Sequence, residues 1–287
     1  MNYRHAFHAG GFTDVVKHAV LARILVYLIR KDAPLRFIDT HAGAGRYDLN
    51  SAEARRSPEW RDGVARVLKS APSAPVAALL EPYLRAIGPH DAEGMPLSYP
   101  GSPAIAQALL RSHDRIALCE AHPEERENLV AALGRDDRLS IVGTDGYAAL
   151  KAYIPPKERR GLVLIDPAFE APDELDRERA ALEKAISKWP TGGYLAWRPI
   201  REAAADARFL NALAASGTPN MLRLEIDVGR GLTGAHGQEP LARAGVIVVN
   251  PPHTLFEEAR VLLPWLSRVL ARQGRGGYVC EWLTEAR

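Results

Sequence analysis

Apolar and polar positions along this chain follow two periods, and the switching between them sets out a succession of helices and strands. Residues 13–31 place Val16, Val20, Ile24 and Leu28 at helical spacing, which predicts a helix. "LRFIDT" (35–40) reads as a short strand. From residue 99 onward the two patterns alternate. "YPGSPAIAQALLR" opens a helix, with Ser102 as N-cap and Pro103 at the first helical position. Strand "RIALCE" (115–120) follows, then a helix whose first turn carries Pro123 and two acids, as a helix dipole prefers. Next come the strand and turn "LSIVGTDG" (139–146) and then "GLVLID" (161–166), apolar throughout, as expected of a parallel strand covered on both faces. A helix over 173–189, strand "GGYLAWRPI" and a helix over 201–215 that stops at Gly217 come after it. Strands 221–228 and 244–250 are joined by the Gly-rich "GRGLTGAHG" without a helix, which reads as an antiparallel pair. A helix over 254–271 and strand "GYVCEWL" end the pattern. Such alternation predicts an α/β fold built on an open sheet.

Residues 50–98 break that rhythm. Arg55, Arg56, Pro58, Pro72, Pro75 and Pro82 punctuate two helical stretches, 59–69 and 76–87. The segment is read as an inserted helical subdomain, with 1–49 and 99–287 forming the main domain. A chain of 287 residues with 47% apolar content has the material for a large core. The formal net charge of +2 does not by itself demand a nucleic-acid partner. The preference for Arg suits phosphate forks and equally a GC-rich genome. Cys119 and Cys280 lie far apart, give no disulfide framework or zinc spacing, and are expected as buried free thiols. The polar N-terminus lacks a signal-peptide core, and "AVLARILVYLIR" is too short to span a bilayer and carries Arg23. A cytoplasmic protein is expected.

Ligands of an open α/β sheet bind beyond the carboxyl ends of its strands, so those ends carry the candidate chemistry. The first is "DTHAGAGRYD" (39–48). A dinucleotide fingerprint would want a third glycine where Asp48 stands. The looser Asp-x-x-x-Gly-x-Gly of S-adenosylmethionine enzymes fits Asp39, Gly43 and Gly45, as does an ordinary strand–helix turn. Glu120 ends the second core strand, either as an acceptor for two ribose hydroxyls or as a solvated charge. Asp145-Gly146 ends the third, facing an adenine amine or making a common turn. Asp166-Pro167 ends the fourth. In this order the set is what an S-adenosylmethionine-dependent methyltransferase sheet requires.

Enzymes that methylate the exocyclic amine of adenine or cytosine carry Asp or Asn, two prolines and an aromatic at that fourth end. "IDPAFE" has Asp166, Pro167 and Phe169, with Ala168 in the second proline slot. "VIVVNPPH" (246–253) has both prolines but ends on His253, and its prolines read as the stop of a strand. Strand order selects Asp166 over Asn250. His5, His8, His18 and His41 cluster early, yet no HExxH or comparable motif accompanies them, so no metal is expected.

Together, "YRHAFHAGGFTDVVKH" (3–18), "DTHAGAGRY" (39–47), "YPGSP" (99–103), "CEAHP" (119–123), "TDGY" (144–147) and "LIDPAFE" (164–170) resemble the RlmJ family of S-adenosylmethionine-dependent 23S ribosomal RNA adenine-N6 methyltransferases. The resemblance runs from residue 3 through the last strand. It implies a class I, Rossmann-like methyltransferase with a mostly parallel seven-stranded-type sheet and a small helical insertion. It places cofactor contacts on His18, His41, Ser102, Glu120, Asp145, Gly146 and Asp166, the catalytic acid on Asp166, and an RNA-facing tyrosine on Tyr3. Pro167 would accept an amine hydrogen through its carbonyl and Phe169 would stack on the base. Arg4, Lys17, Arg55 and Arg56 would position phosphates, with a solvated helix start as the plainer reading of the last two. The implied partner is 23S ribosomal RNA, free or in early assembly, bound by a monomer. The departures are Ala168 where the family commonly has proline, Phe169 in the aromatic slot, and a longer hairpin at 229–244. Two other classes stand beside this one: a nicotinamide-dependent oxidoreductase, opposed by Asp48, and a catalytically silent RNA-binding relative marked by Ala168.

Overall fold

The computed structural model describes residues 4–231 and 240–285. In chain order its first elements are α1 (Phe12–Leu28), β1 (Arg36–Asp39), β2 (Arg46–Asp48), α2 (Ala52–Arg56), α3 (Glu59–Asp62), α4 (Val64–Lys69), α5 (Ala74–Ile87) and β3 (Ser98–Pro100). Then follow α6 (Ser102–Leu109), β4 (Arg115–Cys119), α7 (Pro123–Leu133), β5 (Leu139–Val142), α8 (Gly146–Tyr153) and β6 (Gly161–Ile165). The last are α9 (Glu174–Lys188), β7 (Gly193–Pro199), α10 (Ala203–Ala215), β8 (Met221–Asp227), β9 (Arg243–Val249), α11 (Leu255–Val269) and β10 (Gly277–Thr284).

Eight strands form one sheet in the order β10-β8-β9-β7-β6-β1-β4-β5. The run from β7 to β5 is parallel, while β9 is antiparallel to both β7 and β8, and β10 is antiparallel to β8. The seven-stranded expectation is met with one further edge strand, β10, and the expected antiparallel pair is β8 with β9. Alternate side chains of a strand point to opposite faces, so each strand feeds two cores. Phe37, Leu162 and Leu164 join the core beneath α1, α5, α6 and α11. Ile38, Val163 and Ile165 join the core beneath α8, α9 and α10. Helix α1 is buried on all sides, and Arg23 is kept inside by a two-toothed pair with Glu258 at 2.8 and 3.0 Å. Cys119 is buried as expected, whereas Cys280 is only half-buried. No described helix is long and apolar enough to cross a membrane.

The segment over 50–98 leaves and re-enters through one clasp. Strand β2 pairs antiparallel with β3, and Leu49 N donates to Leu97 O at 3.2 Å. Within it, the single helix expected over 59–69 is broken at Gly63 into α3 and α4. Gly63 sits against the N-terminal block, where Val64 N donates to Gly10 O at 2.9 Å. A methyl group at residue 63 would collide with the Gly10 carbonyl. Arg55 and Arg56 lie in the last turn of α2, not at a helix start. Val76, Leu80, Tyr83 and Ile87 of α5 belong to the same core as α1 and α6.

The direction of β9 decides the place of "VVNPPH". Val249 is in register with Tyr194 at the start of β7, and Ala244 with Pro199 at its end. Asn250 therefore lies at the amino edge of the parallel strands, opposite the edge on which Asp166 lies. Its side-chain amide donates to Pro190 O and Gly192 O, both at 2.8 Å. Its φ of +51° is left-handed, a conformation Asn adopts more readily than most residues. This stretch is a structural corner.

Replacing Gly63 with Ala should lower stability by about 1–3 kcal/mol, the usual penalty for forcing extra volume into a packed contact. The urea midpoint reads this directly, and an unchanged midpoint would remove Gly63 as the close contact between the 50–98 segment and the N-terminal block.

Candidate active site

The chain runs outward from β1 to β4 and β5 on one side, then returns to start β6 and β7 on the other. The crevice between β1 and β6 is thus the topological switch point of the sheet. A cavity of about 390 Å³ opens at its carboxyl edge. His18, His41, Gly43, Ser102, Glu120, Asp145 and Gly146 all line it, with Lys17, Asp166 and Pro167 on the β6 side. Gly45 and Phe169 do not line it.

After β1 the backbone turns through Gly43 and Gly45, with φ of +61° and +74°. A side chain at Gly45 would meet Leu129 at 2.6 Å, so the loop packs closely on α7. The loop leads into β2 and not into a helix, so there is no helix N-terminus for a dinucleotide pyrophosphate. Asp39 is fully buried beneath the loop, and Ser102 Oγ donates to its Oδ2 at 2.6 Å. Ser102 is therefore not the N-cap expected from the sequence: Gly101 holds that position, and no side chain caps α6. Glu120 fixes the loop from β4. Its Oε2 accepts from Gly43 N at 2.8 Å and its Oε1 from His122 N at 2.7 Å.

Asp145 Oδ1 caps α8 by accepting from Ala148 N at 2.9 Å. Beyond it stands a wall the sequence reading passed over. Tyr147 donates to Glu174 Oε1 at 2.8 Å, and Arg177 donates to Glu174 Oε2 at 3.2 Å while lying over the Tyr147 ring. The available signals were Tyr147 at the end of "TDGY" and the three-residue spacing of Glu174 and Arg177 at the start of a helix.

Asp166 is not an unattached strand-end charge. Its Oδ2 accepts from Lys17 Nζ at 2.5 Å, and the same ammonium lies 3.0 Å from Asp14 Oδ1. Asp14 is itself buried, and its Oδ2 accepts from His5 Nε2 at 2.8 Å and from Gly10 N at 3.0 Å. Lys17 is 3% exposed, so it does not reach phosphate as the sequence reading expected. Burial alone would strip its proton, but Asp14 and Asp166 outweigh that and hold it above the ordinary lysine range. Arg4 is engaged as well, with Glu124 at 3.0 Å and Glu53 at 3.8 Å. Phe169 has a left-handed φ of +51° and meets Trp197 edge-on at 5.4 Å between centroids. Trp197 lines the cavity and was read only as part of a strand. Arg55 and Arg56 are exposed at the end of α2. Tyr3 lies outside the described residues.

Burial sets the charge of the pocket. It holds His18 down at about 3 and His41 at about 4, so both imidazoles are neutral near pH 7. Thr40 Oγ1 donates to Leu164 O at 2.9 Å and so must accept from His41 Nδ1 at 2.8 Å. That leaves His41 Nε2 as an acceptor. Burial also pushes Asp39 up to about 7, opposed by the Ser102 hydrogen bond and assisted by the charge of Asp166.

A family model described as ribosomal RNA large subunit methyltransferase D, RlmJ, matches residues 32–284. The chain is 36% identical to "Ribosomal RNA large subunit methyltransferase J" of Escherichia coli K12 over 288 residues, 99% of each chain. The Haemophilus influenzae protein of the same name is 36% identical over 285 residues, again 99% of each. A crystal structure of a Legionella pneumophila protein aligns with a TM-score of 0.84 at 33% identity, covering 96% of this chain and 98% of its own.

Folded Asp39 holds its proton more tightly than a free carboxyl, which titrates near 3.8, so its contribution to stability falls as pH rises from there to about 7. The Ser102 hydrogen bond favours the ionised form. Ser102→Ala should therefore cost about 1.5–3 kcal/mol at pH 8, where the bond is to a charge, and about 0.5–1.5 kcal/mol at pH 5.5. Urea denaturation at the two pH values tests this, and an equal or reversed deficit would refute the assigned role.

Proposed function

Because the chain belongs to the RlmJ family of ribosomal RNA large-subunit methyltransferases, we propose that its carboxyl-edge pocket binds S-adenosylmethionine and methylates the N6 amine of an adenine in 23S ribosomal RNA. The observation that carries this reading is the meeting of Glu120, Asp145 and Asp166 around one cavity at the switch point of the sheet.

The donor set fits the cofactor. Each Glu120 oxygen already accepts one backbone N–H, which fixes the carboxylate plane and leaves a lone pair on each for a ribose diol. Asp145 spends Oδ1 on its helix and keeps Oδ2 for an adenine amine. Asp14 and Asp166 bring two carboxylates to the single ammonium of Lys17, and the two buried imidazoles are neutral. The pocket therefore retains negative charge, which suits a cationic ligand. When bound, S-adenosylmethionine supplies an electrophilic methyl group on a sulfonium centre.

The amine of adenine is a poor nucleophile because its lone pair is delocalised into the ring. Lys17 holds Asp166 Oδ2, so Oδ1, which has no partner among the described residues, is left to accept one amine hydrogen. The Pro167 carbonyl accepts the other. Holding both hydrogens turns the nitrogen lone pair out of conjugation. As the nitrogen gains the methyl group it becomes acidic, and Asp166 takes the proton directly or through water. Phe169, packed on Trp197 just outside the cavity lining, meets the incoming base as it is splayed out of its helix, a stacking contact worth about 1–3 kcal/mol in comparable sites. Neither alanine nor proline at residue 168 has a hydrogen-bonding side chain, and the acceptor carbonyl belongs to Pro167, so alanine in the proline slot leaves the chemistry intact.

Asp166→Asn keeps an acceptor for Lys17 and should reduce tritium transfer from S-adenosylmethionine to 23S ribosomal RNA on the order of 10²-fold or more. Asp166→Ala is the harsher change, since unpairing a buried charge costs about 3–5 kcal/mol. Asn250→Ala should stay active and lose about 1–3 kcal/mol of stability. A dead Asn250→Ala beside an active Asp166→Asn would overturn the assignment. A wild-type protein that binds the cofactor yet methylates no form of the RNA would be the silent relative. Naked 23S ribosomal RNA should be a better acceptor than mature large subunits, because a flipped adenine must reach a recessed site. Preference for mature subunits would count against a free-RNA substrate.

A further inference from the structure

A second concavity of about 850 Å³ lies along the same carboxyl edge, over β7, β8, β9 and β10. Arg201, Arg230, Arg243, Arg272 and Arg275 line it, against the carboxylates of Glu202 and Asp227. Strand direction explains the gathering. Arg201 follows the end of β7 and Arg230 the end of β8, while Arg243 and Arg275 stand at the starts of β9 and β10, which run the other way. Three connections distant in sequence, after β7, between β8 and β9, and before β10, thus deliver arginines to one edge. For a chain whose formal net charge is only +2, this is a marked local concentration.

Two of the five are fixed. Arg243 lies 3.4 Å from Glu225 and 3.6 Å from Asp227, and Arg272 donates to Leu241 O at 2.9 Å while covering the Phe12 ring. Arg201, Arg230 and Arg275 are exposed and have no carboxylate partner among the described residues. The two cavities border one strand end: Trp197 in β7 lines the catalytic pocket, and Ile200, just past the end of β7, lines this one. Arg201 lies near His8, and His5 of the same N-terminal turn lines the catalytic cavity.

We propose that this groove holds the phosphodiester backbone of the RNA strand flanking the target adenine. The planar fork of arginine matches phosphate oxygens in pairs, and a row of such forks along an open trough suits a polymer better than a single anion. The groove reads no bases. It fixes the strand beside the pocket so that one nucleotide can turn in. The inference rests on the ribosomal RNA reading given above.

The test is the triple variant Arg201→Gln, Arg230→Gln, Arg275→Gln in the full chain, with melting temperature as folding control. Two measurements are made against wild type: equilibrium binding of fluorescently labelled 23S ribosomal RNA fragments across a salt series, and methyl transfer kinetics on naked 23S ribosomal RNA. The variant should bind RNA on the order of 10-fold or more weakly, with a salt slope shallower by about 2–3 for three lost phosphate contacts. KM for RNA should rise while kcat and S-adenosylmethionine affinity stay within about twofold, since phosphate contacts steer substrate without touching the reacting atoms. Equal affinity and slope in variant and wild type would overturn the groove, as would a fall in kcat with KM unchanged. If wild type binds RNA but transfers no methyl group, the reaction is what fails, and the binding comparison alone still judges the groove.

Discussion

An ammonium group can be buried only where carboxylates hold it, and Lys17 is held by two. Asp14 sits one turn away on the same helix, and Asp166 comes from a strand end 149 residues later. Asp14 is tied in turn to the His5 ring and the Gly10 amide. One charge cluster therefore joins the N-terminal turn, the most buried helix and the loop proposed to carry the chemistry. Each member is costly to bury alone and tolerable in company. The position of Asp166 is for this reason a property of the first eighteen residues as much as of β6. It also explains why a polar N-terminal block accompanies an apolar helix: the block satisfies the carboxylate that the helix buries.

Strand direction is the second organising fact. Five parallel strands place Asp39, Glu120, Asp145 and Asp166 at one edge, and the reversal of β9 sends Asn250 to the other. The same reversal brings the starts of β9 and β10 back to the carboxyl edge of the parallel strands, carrying their arginines with them. Two stretches with similar local sequence, "IDPAFE" and "VVNPPH", end up at opposite edges of the sheet for this reason alone.

The alternation of helices and strands was legible because a sheet covered on both faces demands unbroken apolar runs, and β6 and β9 have them. The strand-end acids were legible because their order in the chain follows the order of parallel strands. What escaped depends on neighbours in space. Ser102 stands beside a proline in a good capping sequence, yet its hydroxyl goes to Asp39, 63 residues away. Lys17 reads as a surface cation until Asp14 and Asp166 are seen to enclose it. The break at Gly63 follows from the approach of Gly10, and no local propensity reports that. Trp197 entered the site because β7 brings it there and no motif marks it, while the spacing of Glu174 and Arg177 signals a helix start but not that α9 turns them toward the pocket.

The clasp of β2 and β3 has a consequence for how the molecule comes apart. A segment tied off at its base resembles a module that could open alone. The core contacts of α5 with α1 and α6 make that route expensive, because opening the segment would bare the side chains of the helix that carries Lys17. Its amides are thus expected to exchange with solvent through the same opening that exposes the central sheet, and not through a separate, easier one. A decoration in the topological sense, the segment is in the energetic sense part of the trunk.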